Sequence, residues 1–372
     1  MPAGVLRAPY PFREAPEVEL FTEARPTWDR LLADLSSARS ELRVENFIFS
    51  DGLAGAAVAD ALVRAATNGA RVRLQIDAFG SKGLGDASRR RLRAAGVELR
   101  IYNRLRLGKA LRPSRAIPRT HRRIVTVDDR VGWTGGLAFA DQWWPSEGRE
   151  AARDTMVRFT GAAVADLADA FDRLWEDRRR GPRPELPAGC HGQLRVVPQY
   201  TLRYPHYNHA FMRRLAFTQR RAWIAVPYFV PGPNLFDAFR ALLRRRVDLR
   251  FLFPGRRTDH PAVRIAARRH YGRLLRAGAR IWEYQPSFMH AKTALFDDEW
   301  LLAGSCNLDS WSMFINNEIA VEICDPGIAG LARHRFELDF SRAREVTWEE
   351  WRRRPLPARL LERLFGTFES AF

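Results

Sequence analysis

The chain has 372 residues, 46% of them apolar and 28% charged, with 61 Lys+Arg against 43 Asp+Glu for a formal charge of +18. At roughly 150 residues per domain this length fits two domains with cores of their own, and the residue mix excludes a disordered or low-complexity chain. Three cysteines without metal-ligand spacing (Cys190, Cys306, Cys324) exclude a disulfide framework, and no run of 18 apolar, uncharged residues offers a membrane helix.

The segment Met1 to Thr27 has no apolar core followed by a small-residue cleavage site, so no signal peptide and a reducing compartment are expected. Leu42 to Phe49 then reads as a buried strand, Ala54 to Asn68 as a helix ending at Gly69, and Val72 to Ala78 as a strand. Ser88 to Ala95 is a short helix and Val97 to Tyr102 a third strand. The order recurs downstream. Ala222 to Phe229 is a strand, Asn234 to Arg244 a helix, Leu249 to Phe253 a strand, Arg264 to Ala277 a helix, and Ala279 to Tyr284 a strand. Gly96 and Tyr102 repeat as Gly278 and Tyr284 at a constant spacing of 182. Alternating strands and helices predict an α/β fold of two similar βαβ halves related by a pseudo-twofold. The expected boundaries are 1–180 for the first half, 181–192 for a Pro/Gly-rich linker, 193–345 for the second half and 346–372 for a C-terminal tail.

Each half carries one constellation after its last repeated strand. The second copy is His290-Ala-Lys292, then Asp297, then Gly304-Ser305-Cys306-Asn307; the first is His121-Arg122-Arg123, then Asp128, then Gly135-Gly136-Leu137-Ala138. On a strand, residues two apart share a face, so His290 projects with Lys292 and His121 with Arg123. An imidazole beside a fixed cation suits attack on a phosphodiester: the cation neutralises phosphoryl oxygens while the neutral ring acts as nucleophile. The turn at Gly136, Ser305 and Asn307 offers short polar groups and backbone N–H to the same oxygens. One histidine attacks and the other, opposite it, handles the proton of the leaving and incoming hydroxyls. The chain's own cations supply the charge, so no metal and no cofactor is expected.

This pattern, H-x-K-x4-D followed by G-S-x-N, resembles the phospholipase D superfamily, whose members pair two such motifs in one site. The first copy departs from it at Arg123, where the family has lysine, and at Ala138, where it has asparagine. The likeness spans about Glu17 to Asp325 and is nearest to bacterial cardiolipin synthases of the shorter B type, without N-terminal membrane helices. Segments that carry it include VENFIFSDGLAG, HRRIVTVDDRVGWTGGLAFADQWW and MHAKTALFDDEWLLAGSCNLDSWSMFINNE. The resemblance implies transfer of a phosphatidyl group between phospholipids, phosphatidylglycerol foremost, at the cytoplasmic face of a bacterial inner membrane. It further implies that Asp128 and Asp297 position the histidines, although each precedes a second acid (Asp129, Asp298) at a strand end and could instead begin a turn, and that Glu318, with Asp154 as its first-half counterpart, orients a histidine.

Two segments bear on the membrane. The first half holds 13 more residues than the second between its tyrosine and its histidine, a stretch with six cations and no acid interleaved with Leu105, Leu107, Leu111 and Ile117. From Pro357 the tail sets Leu360, Leu361, Leu364, Phe365 and Phe368 on one helical stripe, which suits a membrane interface or the protein's own surface. Two rival readings stay open at this point. One is a nuclease of the same superfamily with Trp143, Trp144, Trp282 and Trp311 stacking bases; the other is a non-catalytic membrane-binding protein whose first motif has decayed.

Overall fold

Parallel strands need crossover connections, so alternating apolar strands and helices build helix-covered parallel ladders. The computed structural model describes residues 9–104, 118–177, 193–200 and 205–366; the expected linker at 181–192 lies outside them. The first half holds β1 (Val18–Phe21), α1 (Ala24–Ser37), β2 (Glu41–Asn46), α2 (Leu53–Thr67), β3 (Arg71–Asp77), α3 (Asp86–Ala94) and β4 (Glu98–Tyr102). It continues with the hairpin β5 (Ile124–Val127) and β6 (Val131–Gly135), then β7 (Met156–Thr160) and α4 (Ala163–Trp175). The second half begins with β8 (Leu194–Tyr200), α5 (His206–Phe217), β9 (Arg221–Ala225), β10 (Phe229–Val230), α6 (Pro233–Arg244) and β11 (Asp248–Pro254). Next come α7 (Pro261–Arg268), α8 (Tyr271–Ala277), β12 (Arg280–Tyr284), the hairpin β13 (Thr293–Phe296) and β14 (Trp300–Gly304), and β15 (Leu308–Asp309). A π-helical turn (Trp311–Ile315), β16 (Asn317–Cys324), α9 (Pro326–Ser341), β17 (Ala343–Val346), α10 (Trp348–Arg352) and α11 (Leu356–Gly366) complete it.

The first sheet runs β1-β7-β6-β5-β2-β3-β4, and the second β8-β16-β14-β13-β9-β11-β12, with β17 added at its outer edge. The strand orders are the same. In both, the three βαβ strands are parallel and the hairpin and its neighbours antiparallel. Strand alternation explains the packing: Leu42 and Val44 of β2 enter the first-half core with Leu62 of α2, while Arg43 on the other face bonds Asp172 of α4 at 3.1 Å. A central core joins the halves, with Val157, Phe159 and Phe171 packed among Val196, Leu295, Leu301 and Val321.

Two expected elements are divided: the strand over Ala222 to Phe229 is β9 and β10, and β10 leaves the large sheet to pair with β15. The helix predicted over Arg264 to Ala277 is two helices, because backbone N–H groups of Arg269 and His270 bond three residues back, to Ala266 and Ala267, and tighten the turn. The buried His270 ring there packs against Phe236 at 5.3 Å. Among the described residues no helix is long and apolar enough to cross a membrane.

Candidate active site

The chain entering each hairpin carries a motif histidine and crosses to the other half. His121 donates its backbone N–H to Asn317 O at 2.9 Å, and His290 donates to Arg153 O at 2.8 Å. Asn317 and Arg153 directly precede Glu318 and Asp154. These two backbone bridges therefore deliver an acid of one half to the histidine of the other. Glu318 Oε1 and Oε2 each lie 3.0 Å from His121 Nδ1, and Asp154 Oδ2 lies 2.6 Å from His290 Nδ1.

The two cations follow their histidines inward. Lys292 Nζ is 2.7 Å from His290 Nε2 and donates to His290 O at 2.7 Å. Arg123 donates through Nη1 to His121 O. Its Nε and Nη2 have no hydrogen-bond partner although the residue is 2% exposed. A buried guanidinium with open N–H groups is an anion receptor by construction. Aromatic edges pack the rings: Phe47 lies 4.9 Å from His121, and Trp143 4.9 Å from His290. Trp143 also donates Nε1–H to Asp154 at 2.8 Å, which fixes that acid behind His290.

Several sequence expectations change here. Asp128 and Asp297 touch neither histidine; each sits at positive φ with the next aspartate (51° and 54° for Asp128 and Asp129, 55° and 59° for Asp297 and Asp298) in the three-residue turn of its hairpin. Asp128 accepts from the backbone N–H groups of Arg39, Ser40 and Glu41, and Asp297 from those of Gln219, Arg220 and Arg221. Each thus ties its hairpin to the entry of β2 or β9. Gly136 and Ser305 likewise stand behind the site, because their N–H groups are spent on Thr155 O and Ile319 O. A Cβ on Gly136 would lie 2.1 Å from Asp154 Oδ1, so the glycine makes room for that acid. Ser305 instead gives its hydroxyl to Glu318. Asn307 is buried with Oδ1 lacking a partner and Nδ2 donating to Ser312 Oγ at 3.4 Å, whereas Ala138 at the matching place is packed in the first-half core.

Electrostatics separate the two histidines. Burial, then the neighbouring Arg123 and Lys292, pull His121 well below the usual histidine value. Burial and Lys292 bring His290 down to about 4 against the upward pull of Asp154. Both rings are neutral at pH 7, the form that can attack. Their acids differ. Burial pushes Glu318 up to about 8, while for Asp154 the charge and hydrogen bonds of His290, with Lys292 and Trp143, overcome burial and hold it below the carboxylate range. Lys292 is lowered by burial to about 7. Among the described residues no group of three or more His, Cys, Asp or Glu could hold a metal ion.

Paired histidines, crossed acids and buried cations on a duplicated α/β sheet coincide with one family model, "Cardiolipin synthase, PLD-like domain", matched over residues 31–175 and 211–340. The chain belongs to this family. It is 31% identical over 347 residues to cardiolipin synthase A of Pseudomonas putida, covering 90% of this chain and 70% of that one. To the major cardiolipin synthase ClsA of Bacillus subtilis it is 30% identical over 365 residues, covering 94% and 74%. Among solved structures, phosphatidylserine synthase of Haemophilus influenzae superposes with a TM-score of 0.75 at 14% identity, over 98% of this chain and 96% of the other, which shows the shared fold.

Within this family frame, sequence reasoning missed the parts that shape the pocket. Phe47, Trp143, Phe288 and Tyr228 ring the two imidazoles. Their only signal was adjacency to the motifs and the repeated strands. Three of the four aromatics considered for base stacking are committed elsewhere: Trp143 is 2% exposed against His290, Trp282 is 6% exposed against Phe340, and Trp144 packs on Trp28.

Proposed function

We propose that this chain transfers a phosphatidyl group from one phosphatidylglycerol to the head-group hydroxyl of a second, releasing glycerol, through a phosphohistidine. The observation that carries the reading is the pair of buried histidines, each backed by an acid of the opposite half, around a guanidinium with unfilled N–H groups. In this mechanism His121 attacks phosphorus through Nε2, and its Nδ1 proton is held by Glu318. The phosphorus–oxygen bond to glycerol breaks, and His290, taking a proton at Nε2 from the Lys292 ammonium 2.7 Å away, passes it to the departing alkoxide. The acceptor hydroxyl then returns that proton to His290 and displaces His121 from phosphorus. Asp154, held as a carboxylate, supports the imidazolium that His290 must become, which favours this division of roles. Arg123 and Lys292 bind the phosphoryl oxygens as negative charge grows on them.

The expected halves, 1–180 and 193–345, act as one unit on this reading, with the tail 346–372 against an anionic leaflet. Support for that placement comes from α11: Glu362 on its inner side bonds Arg354 at 2.9 Å, while Leu356 and Leu360 are 68% and 63% exposed. The basic stretch before His121 lies largely outside the described residues, and its sequence alone carries its part. The reading is tested by incubating the protein, with EDTA, on phosphatidylglycerol vesicles and following products by mass spectrometry. Cardiolipin and glycerol are expected. Phosphatidic acid alone would make it a hydrolase, and cleavage of DNA without lipid turnover would overturn the lipid reading.

A further inference from the structure

The two halves carry equivalent cavities that differ in charge. Each lies where the outer parallel strands end, after β3 and β4 in the first half and after β11 and β12 in the second, and is lined by the intervening helix. The C-terminal ends of parallel strands are the ligand-binding edge of an open α/β sheet. The second-half cavity, about 1090 Å³, sets six arginines against Glu283, Glu350 and Glu362. Glu283 receives Arg264 at 3.1 Å and Arg344 at 3.3 Å as well as Arg268. Half of that cavity's cations are thus matched by carboxylates in its own wall.

The first-half cavity, about 420 Å³, has no such device: Lys82, Arg89, Arg93, Arg104 and Arg119 line it with a single carboxylate, Asp86. Where β12 places Glu283, one residue before its closing tyrosine, β4 places Ile101. Arg89 holds Asp86 at 3.2 Å, and Arg119 is engaged with Asp77 at 3.4 Å. Lys82 sits 4.3 Å from the Phe79 ring centroid. Among the described residues no carboxylate pairs with Lys82, Arg93 or Arg104, and residues 105–117, which follow Arg104, contain no Asp or Glu. Confined like charges repel, and an anion of matching size relieves that repulsion.

We propose that this cavity binds a phosphate group distinct from the one under attack at the histidines, carried by a phospholipid head group or by a dissolved phosphate. Arg119 lines the cavity and stands two residues before His121 in the chain. The proposal rests on this cavity and not on the transfer reading.

The test uses the full chain and two binding measurements that need no turnover: sedimentation with vesicles of equal parts phosphatidylcholine and phosphatidylglycerol, and calorimetric titration with inorganic phosphate. The Lys82→Gln/Arg93→Gln variant changes two exposed side chains. A control, Arg240→Gln/Arg244→Gln, removes the same charge from the exposed face of α6. A lipid-borne phosphate predicts vesicle binding weakened roughly 25-fold in the cavity variant, at about fivefold per lost cation, with the control near wild type. A dissolved phosphate predicts saturable heat with phosphate in wild type and control that the cavity variant loses. The proposal is overturned if the cavity variant matches wild type in both measurements, or if the control loses as much. Inactivity on phosphatidylglycerol would leave this result unaffected.

Discussion

The two halves share one strand order yet divide the chemistry unequally. In the first, the motif cation is a guanidinium that reaches only its histidine's carbonyl; in the second, it is an ammonium seated on the imidazole itself. His121 leans on a glutamate pushed by burial up to about 8, and His290 on an aspartate held ionised. A duplicated scaffold fixes where the two imidazoles stand. On the proposed mechanism, the identity of the acid and cation beside each assigns one ring to phosphorus and the other to the protons.

The sharpest way to break this division is to remove one ring at a time. His121→Ala and His290→Ala are each expected to lower transfer by about 10⁴-fold. With radiolabelled donor, His290→Ala should retain label on residue 121, measured as base-stable, acid-labile phosphoprotein. Label on residue 290 in His121→Ala would exchange the roles. Removing the acids comes next. Asp154→Asn is expected to cost roughly 10²–10³-fold in kcat, and Glu318→Gln less, since Glu318 is already disposed to hold a proton near neutrality. Equal losses would erase the asymmetry.

The cations predict a pH signature. Lys292, lowered by burial to about 7, loses its charge as pH rises, so kcat/KM should fall on an alkaline limb centred near pH 7. Lys292→Arg should remove that limb, because a guanidinium does not titrate there, while Arg123→Lys should stay within about tenfold of wild type. The hairpin aspartates give the smallest effect on turnover. Asp128→Asn and Asp297→Asn should leave kcat within about threefold and cost roughly 1–2 kcal/mol of stability, read by denaturant unfolding.

Acid should also separate the halves. Burial pulls His206 and His270 of the second half down to about 4, and the first 180 residues contain no histidine but His121. Unfolded histidine titrates near ~6.5, so the stability from these rings is present above that pH and lost as pH falls toward 4. Hydrogen exchange at pH 5 should therefore accelerate in α5 and α8 before α1 and α2.

Much of this was legible in the sequence. The repeat, the strand–helix order and the pairing of each histidine with a cation two residues on follow from periodicities that act over a few residues. The crossing of acids did not, since His121 and Glu318 are 197 positions apart and no local pattern encodes which half an acid will face. For the hairpin aspartates both readings were open, since two consecutive aspartates between strands are the composition of a turn that needs positive φ, and the structure selects the turn. Gly136 and Ser305 were assigned to phosphate because a glycine-serine turn commonly offers N–H groups, but here the carbonyls of Thr155 and Ile319 take them.

The backbone bridges from His121 to Asn317 and from His290 to Arg153 also bear on when the protein becomes reactive during its synthesis. A nascent chain with only its first 300 residues out of the ribosome has both histidines but lacks Glu318, and the strand that should seat His121 is missing. Neither half folded alone can assemble an armed imidazole. The paired site therefore forms only after translation has passed β16 and the halves have closed on each other.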